Sequence, residues 1–307
     1  LREKTAAGMM DCKKALTECD GDMEKAVDWL RQKGLSKAAK KAGRATSEGL
    51  VGFELAADGK SGVAVEVKCE TDFVARGDKF QGFVKDMVAQ VAKGEYADSE
   101  ALLAAPFVAD ASVTVKEALD GVIATTGENM GLGKFAKMEL AAGKSGLIGG
   151  YLHSNGKLAV LVEMQTGSDA AAASEAFHEV AKNVAMQIAA MNPAYLDKSE
   201  VDEATLEEEK KILLVQMEND PKMAAKPDKV KQGIVTGKLR KFYEENCLLQ
   251  QEFVKDNSMS VEQYVAKVAK EQGGSIKLKA AVRFEKGEGI EKKQENFAEE
   301  IAKQLAK

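Results

Sequence analysis

Cysteine, histidine, serine and paired carboxylates are the side chains that hold metals or break bonds, and their spacing in this chain favours neither task. Four cysteines, Cys12, Cys19, Cys69 and Cys247, form no CxxC pair, and the two histidines are His153 and His178. That is too few ligands at useful spacing for a zinc site. The histidines lie remote in sequence and give no Ser-His-Asp or Cys-His signature; Cys12 beside Lys13 and Lys14 is only a weak reactive-thiol candidate. Gly59-Lys60-Ser61 and Gly143-Lys144-Ser145 resemble the end of a phosphate-binding loop, but the upstream glycine such a loop requires is Glu54 in one and Met138 in the other. Both read as turns. Carboxylates are plentiful, and no pair stands out for acid–base work. The chain is therefore expected to catalyse no covalent step and to carry no cofactor or metal of its own.

What remains is recognition, and the residues best placed for it are Thr71-Asp72-Phe73-Val74. They follow the apolar strand pattern Val63-Ala64-Val65-Glu66-Val67 and precede a helical one. Connections run over the surface and carry a disproportionate share of binding residues, so a ring there either packs locally or reaches for a partner.

The elements that position this corner come in two kinds. Residues 1–48 read as a small helical module. Met23, Ala26, Val27 and Leu30 recur at i, i+3, i+4 and i+7, Asp20 or Asp22 can cap the start, and Gly34 ends the helix. An earlier helix spans Gly8 to Leu16, with Leu16 and Cys19 on its core face. Met9 and Met10 cannot both face one core, so at least one lies near the surface, where a flexible thioether suits an adaptable interface.

From Gly49 the pattern turns to strands. Leu50, Val51, Phe53 and Leu55 precede the hairpin signal Asp58-Gly59, and after the corner Phe80, Val84, Met87 and Val91 recur at helical spacing before Gly94. Shifting the chain by 97 positions lays Gly146-Leu147-Ile148-Gly149 on Gly49-Leu50-Val51-Gly52, Asn155-Gly156-Lys157 on Asp58-Gly59-Lys60 and Phe177 on Phe80, with no gap through Ala189. The fold class read from this is α+β: a duplicated hairpin-plus-helix core with antiparallel sheets, each covered by its helix. Phe135–Leu140 and Lys277–Phe284 are candidates for a further strand in each copy. Between them, a charged helical stretch and a second helix after Pro221 and Pro227 predict an inserted antiparallel hairpin, and Glu295–Lys307 a short terminal helix. The expected division is 49–142 and 143–198 for the two core subdomains, 199–267 for the hairpin and its return, 268–286 for a closing strand, and 287–307 for a C-terminal module.

The duplication sorts residues. Asp72 matches Asp169, so a capping role is open for both, whereas Phe73 matches Ala170 and the corner does not require a ring. His153 matches Ala56 beside the second hairpin turn, where it reads as an accessible contact or an inconsequential surface residue. Composition sets the background: 307 residues, 45% hydrophobic and 30% charged, net charge -5, a soluble globular class without an overall field for nucleic acid. The exception is Arg31 to Arg44, where Arg31, Lys33, Lys37, Lys40, Lys41 and Arg44 have no acid between them; it leaves an RNA-associated protein as the alternative function. Unpaired thiols suit a reducing compartment. No apolar run approaches the roughly 18 residues needed to span a bilayer. The chain opens at Leu1, which leaves open a few preceding residues or a removed targeting segment.

Two long motifs carry a family resemblance. Leu1-Arg2-Glu3-Lys4-Thr5 through Gly8-Met9-Met10-Asp11-Cys12-Lys13-Lys14-Ala15-Leu16, and Cys69-Glu70-Thr71-Asp72-Phe73-Val74-Ala75-Arg76, resemble the translation elongation factor Ts family, and Phe253-Val254 and Arg283-Phe284-Glu285 extend the likeness over essentially the whole chain. The resemblance implies a guanine-nucleotide exchange factor for elongation factor Tu, with a ubiquitin-associated-like N-terminal module and a coiled-coil hairpin, working in the bacterial cytoplasm or an organelle matrix. It implies that Asp72 and Phe73, flanked by Thr71 and Val74, form an intruding turn that disturbs the partner's magnesium site. His153 matches a second contact toward the phosphate-binding loop; Arg2, Met9, Met10, Cys12, Lys13, Gly127 and Val254 match further contacts. Magnesium and nucleotide belong to the partner, and a homodimer within a heterotetramer is left open.

Overall fold

The computed structural model describes residues 1–5, 7–154 and 156–288, the side chains of residues 3, 4 and 35–37 excepted. Asn155 and the expected terminal helix at Glu295–Lys307 lie outside the described residues.

The chain begins with α1 (Arg2–Thr5), α2 (Met9–Glu18) and α3 (Met23–Ala39). Asp22 starts α3, its Oδ1 accepting from the Glu24 and Lys25 amides at 3.0 and 3.1 Å. Two expectations are corrected here. Gly34 does not end α3, which runs on to Ala39; it sits against the body, where an added Cβ would lie 3.6 Å from the Ala124 Cβ. A Cβ there would make ordinary contact, so the glycine is a buried residue within the helix and not a stop. The inward face of α2 is Cys12 and Ala15, with Leu16 and Cys19 only half-buried.

The first copy comprises β1 (Glu48–Leu55), β2 (Ser61–Cys69), α4 (Asp72–Ala75), α5 (Asp78–Lys93), α6 (Ser99–Ala104), β3 (Pro106–Phe107), β4 (Asp110–Thr114), α7 (Val115–Thr126) and β5 (Met130–Glu139). Its antiparallel sheet runs β1-β2-β5. Phe80, Met87 and Val91 of α5 are buried against it, together with Leu119 and Ile123 of α7, as an apolar stripe at helical spacing requires.

The second copy opens with β6 (Gly146–His153), β7 (Leu158–Thr166), α8 (Asp169–Ala172) and α9 (Glu175–Met191). An insertion follows: α10 (Glu203–Asn219), α11 (Pro221–Ala224) and α12 (Asp228–Asn246), whose apolar residues Leu213, Met217 and Val235 cluster with Met223, Ile234 and Leu239 of the same insertion. The copy resumes with β8 (Glu252–Phe253), β9 (Asp256–Ser260), α13 (Val261–Glu271) and β10 (Ile276–Glu285), giving a sheet of order β10-β7-β6. The duplication therefore reaches beyond the stretch where one gap-free shift detects it. After the insertion the shift becomes 146, which lays β8, β9, α13 and β10 on β3, β4, α7 and β5. Both copies start the helix after the short two-stranded ribbon with a capping box, Thr114 with Glu117 and Ser260 with Gln263.

The two sheets pack face to face through Val51, Ala64, Ile148, Ala159, Leu161 and Phe284. Two equivalent backbone bonds stitch them: Val51 N donates to Gly156 O at 2.7 Å and Ile148 N to Gly59 O at 2.8 Å. Each hairpin turn thus closes onto the other copy's first strand. The turn glycines, Gly59 (φ 67°) and Gly156 (φ 94°), occupy the left-handed region that lets the chain fold back this tightly.

Candidate functional site

The corner after β2 is a single turn of helix, and its cap is not the residue the duplication suggested. Thr71, in extended conformation, accepts from Val74 N through Oγ1 at 3.3 Å; in the second copy Ser168 caps α8 by accepting from Ala171 N at 3.2 Å. The shared aspartates follow these caps, where a carboxylate complements the positive end of the turn. Asp72 pairs with Arg76 at 2.8 Å across an exposed turn, and Arg76 has Ala173 as its counterpart, so this surface pair contributes little to stability.

Phe73 projects from the turn with 84% of its surface exposed, the largest exposure among the large hydrophobic side chains described. Val74 packs inward beneath it against the first copy's core and Ala75 is buried, so the turn is anchored on one side and presents the ring on the other. A large ring held in water costs free energy unless something covers it, which makes this the leading candidate contact among the described residues.

The corner is braced by the segment that ends α7. Gly127 takes φ 84° as its C-cap, so Glu128 turns back toward β2. Glu128 accepts from Thr71 N at 3.0 Å and from Thr71 Oγ1 at 2.6 Å, and Glu70 accepts from Asn129 N at 2.5 Å. Asn129, 8% exposed, donates through Nδ2 to Ala42 O at 3.4 Å and Arg44 O at 2.7 Å, which ties the linker from the N-terminal module to the same place. Beneath the corner the buried Cys69 thiol donates to Thr71 O at 3.2 Å. Burial, and then the Glu128 and Glu48 carboxylates, push that thiol up to about 12. It stays protonated and acts as a donor, not a nucleophile.

The remaining expected contacts are distributed. His153 ends β6, exposed, with its Nδ1 2.9 Å from the Tyr151 hydroxyl. β1 joins this region to the corner: α4 packs on β1, and Val51 of β1 bonds the hairpin that carries His153. Met9 and Met10 are 68% and 73% exposed, and Arg2 and Lys13 are also at the surface. Cys12 is buried beneath them, its thiol 3.7 Å from Ala7 O, so it supports α2 from within and offers a partner no surface. Val254, 46% exposed, sits in the β8–β9 turn, its amide held by the buried Gln187 at 2.8 Å. Three cations of the basic run have acid partners: Arg31 pairs with Glu117 and Lys33 with Asp11, each at 2.9 Å, and Arg44 with Glu70 at 3.5 Å. Those pairs offset part of the positive field on which an RNA reading depends.

Sequence reasoning missed Glu70, Glu128, Asn129 and Tyr151. Tyr151 stands two residues before His153 on one strand face, a spacing that was available; the carboxylate bracing is long-range and left no local sign. Among the described residues no group of three or more His, Cys, Asp or Glu could hold a metal ion, and no helix is long and apolar enough to cross a membrane.

A family model described as Elongation factor TS matches residues 70–288. Elongation factor Ts of Clostridium novyi (strain NT) is 47% identical over 305 residues, covering 99% of this chain and 96% of that protein. Elongation factor Ts of Clostridium botulinum (strain Alaska E43 / Type E3) is 49% identical over 308 residues, covering 100% and 97%. The alignments to these relatives span both sheets, the insertion and the corner that carries Phe73, and with identity at this level over nearly the full length, the chain belongs to the elongation factor Ts family.

Proposed function

We propose that this chain binds elongation factor Tu and accelerates GDP release by pressing the Phe73 corner against the GTPase near its magnesium and phosphate site, so that GTP can rebind during translation elongation. Membership in the family implies nucleotide exchange on elongation factor Tu in general. The observation that carries the finer reading is Phe73, 84% exposed on an anchored turn. By linkage, a protein that prefers the nucleotide-free GTPase weakens nucleotide binding by the same factor, and a thousandfold weakening corresponds to about 4 kcal/mol. Covering a ring of this exposure removes on the order of 170 Å² of apolar surface from water, worth about 4 kcal/mol before any cost of binding. One side chain is of the right size to supply the coupling.

In this reading Asp72 acts beside the ring and His153 makes a second contact toward the phosphate-binding loop. Arg2, Met9, Met10, Lys13, Gly127 and Val254 extend the docking surface, and the setting is a bacterial cytoplasm. Pairing of two copies within a heterotetramer is favoured by the exposed Ile212, Leu214 and Val215 on α10, and light scattering of the complex measures it. The central test is release of fluorescent GDP from purified elongation factor Tu. The chain should accelerate it, and Phe73→Ala should fold normally yet lose about a hundredfold of the acceleration, the order set by losing most of that burial. Wild-type rates in Phe73→Ala would sink the assignment.

A further inference from the structure

We infer that Glu128 is a positioning residue for exchange, a carboxylate clamp that holds the Phe73 corner in the orientation that enters the partner. The inference rests on the proposed role of Phe73 and adds how that ring is aimed. The β2–β5 ladder ends at the pair Cys69↔Met130. The next two positions are joined by side chains where backbone pairing has stopped. Glu70 accepts from the amide of Asn129, and Glu128 accepts from both the amide and the hydroxyl of Thr71. The Thr71 hydroxyl is thereby used in two directions, donating to Glu128 at 2.6 Å and accepting from Val74 N at 3.3 Å, so Glu128 fixes the hydroxyl that caps the turn bearing the ring.

The second copy supplies a control within the same chain. Its matching ladder ends at Thr166↔Ile276, and the four positions beyond are Gly167 and Ser168 on one side and Gly274 and Ser275 on the other. The α8 turn forms there with its serine cap and with glycines, Gly167 and Gly274, where Glu70 and Glu128 stand in the first copy, and it carries Ala170 in place of the ring. A capped turn therefore does not need the clamp in order to fold. Of the two copies, the one with the clamp is the one with an exposed ring to aim. A charge-accepting hydrogen bond of this kind is stronger and more directional than a neutral one, which suits it to fixing orientation.

The test is a cycle of Glu128→Ala and Phe73→Ala, alone and together, in fluorescent-GDP release from elongation factor Tu at increasing concentration of the exchange factor. Glu128→Ala should lower the saturating release rate about tenfold and leave the half-saturating concentration within about twofold, because docking uses surface outside the corner. In the Phe73→Ala background it should have no further effect, since there is no ring left to aim. Glu128→Gln, which keeps one acceptor oxygen, should recover part of the rate, and it serves in place of the alanine variant if that one misfolds. Equal losses from Glu128→Ala in both backgrounds, or a shift in half-saturation alone, would overturn the clamp while leaving Phe73 in place. Wild-type release by the Phe73→Ala single variant would instead overturn the role of the ring, a separate and distinguishable result.

Discussion

Replacing Gln187 by leucine should loosen the turn that presents Val254, and the size of the effect follows from the hydrogen bonds it makes. Gln187 is fully buried. Its Nε2 donates to Glu252 O at 3.0 Å and to Gln251 Oε1 at 3.2 Å, and its Oε1 accepts from Val254 N at 2.8 Å. Leucine fills similar space without polar atoms, so three partners lose their bond at once. Each bond contributes about 1 kcal/mol net, and a partner left buried and dry costs about 1–3 kcal/mol more. Glu252 and Val254 lie on an exposed turn and can recover water, whereas Gln251 is fully buried and its Oε1 cannot. The expected loss is therefore about 4–6 kcal/mol, below the sum for three dry groups. Gln90 does the same work in the first copy, accepting from Val108 N at 2.6 Å and donating to Pro106 O at 3.1 Å and the Tyr96 hydroxyl at 2.7 Å. Gln90→Leu should cost a similar amount. Urea unfolding measures both losses, and hydrogen exchange at the Val254 amide reports the turn itself. A change below about 1 kcal/mol in both variants, with Val254 protection unaltered, would refute the argument that these glutamines hold their turns.

Phe73→Ala should leave unfolding free energy within about 0.5 kcal/mol of wild type in the same assay, because a ring this exposed contributes little to the core. The thiols should divide sharply at pH 8: burial pushes Cys69 up to about 12 and Cys247 to about 11, Cys12 is buried, and only Cys19 is half-exposed. A disulfide reagent should find one fast thiol, absent in Cys19→Ser, and two fast thiols in the native protein would contradict the packing; the thiolate fraction of the raised pair is about one in a thousand or less. Glu117 is held below its ordinary carboxylate value, chiefly by the Thr114 amide and, against a smaller burial effect, by Arg31. A depressed folded value means that its contribution is complete above the ordinary value and is lost as pH falls through the lower one, so docking of α3 on α7 should weaken only on the acid side. The sole tryptophan, Trp29 on α3, can report that step by fluorescence. Glu117→Gln should shrink it while keeping the cap, and an unchanged acid transition in that variant would rule the pair out.

Much of this architecture was legible because two physical signals repeat. Period-two apolar runs ending in Asp58-Gly59, followed by the α5 stripe, recur without a gap at the same spacing, which identifies the first half of each copy and isolates Phe73 as a ring the corner does not need. The second half was hidden for two reasons. The insertion changes the spacing, and β3 and β8 are two residues long, too short to carry an alternating pattern. The matched capping boxes at Thr114 and Ser260 were the available clue. Gly34 misled because a glycine inside a helix and a glycine at a helix end look alike in sequence. Asp72 misled because Thr71 beside it is an equally good cap, and only geometry chooses. The basic run from Arg31 to Arg44 looked unopposed because its acids come from Asp11, Glu70 and Glu117, which no local reading brings near.

The paired stitches between the sheets, Val51 to Gly156 and Ile148 to Gly59, form an isologous contact: each surface patch meets its own counterpart. Two separate chains of one copy each could make the same contact, but every feature of such a dimer would appear twice. Joining the copies in one polypeptide lifts that constraint. One half keeps a ring at its corner while the other holds alanine, and one half admits a helical arm while the other closes directly on its next strand. Symmetry is retained where the halves hold each other and abandoned at the exposed corner and at the insertion. A dimer of identical halves would carry two such rings, and the fused chain carries one.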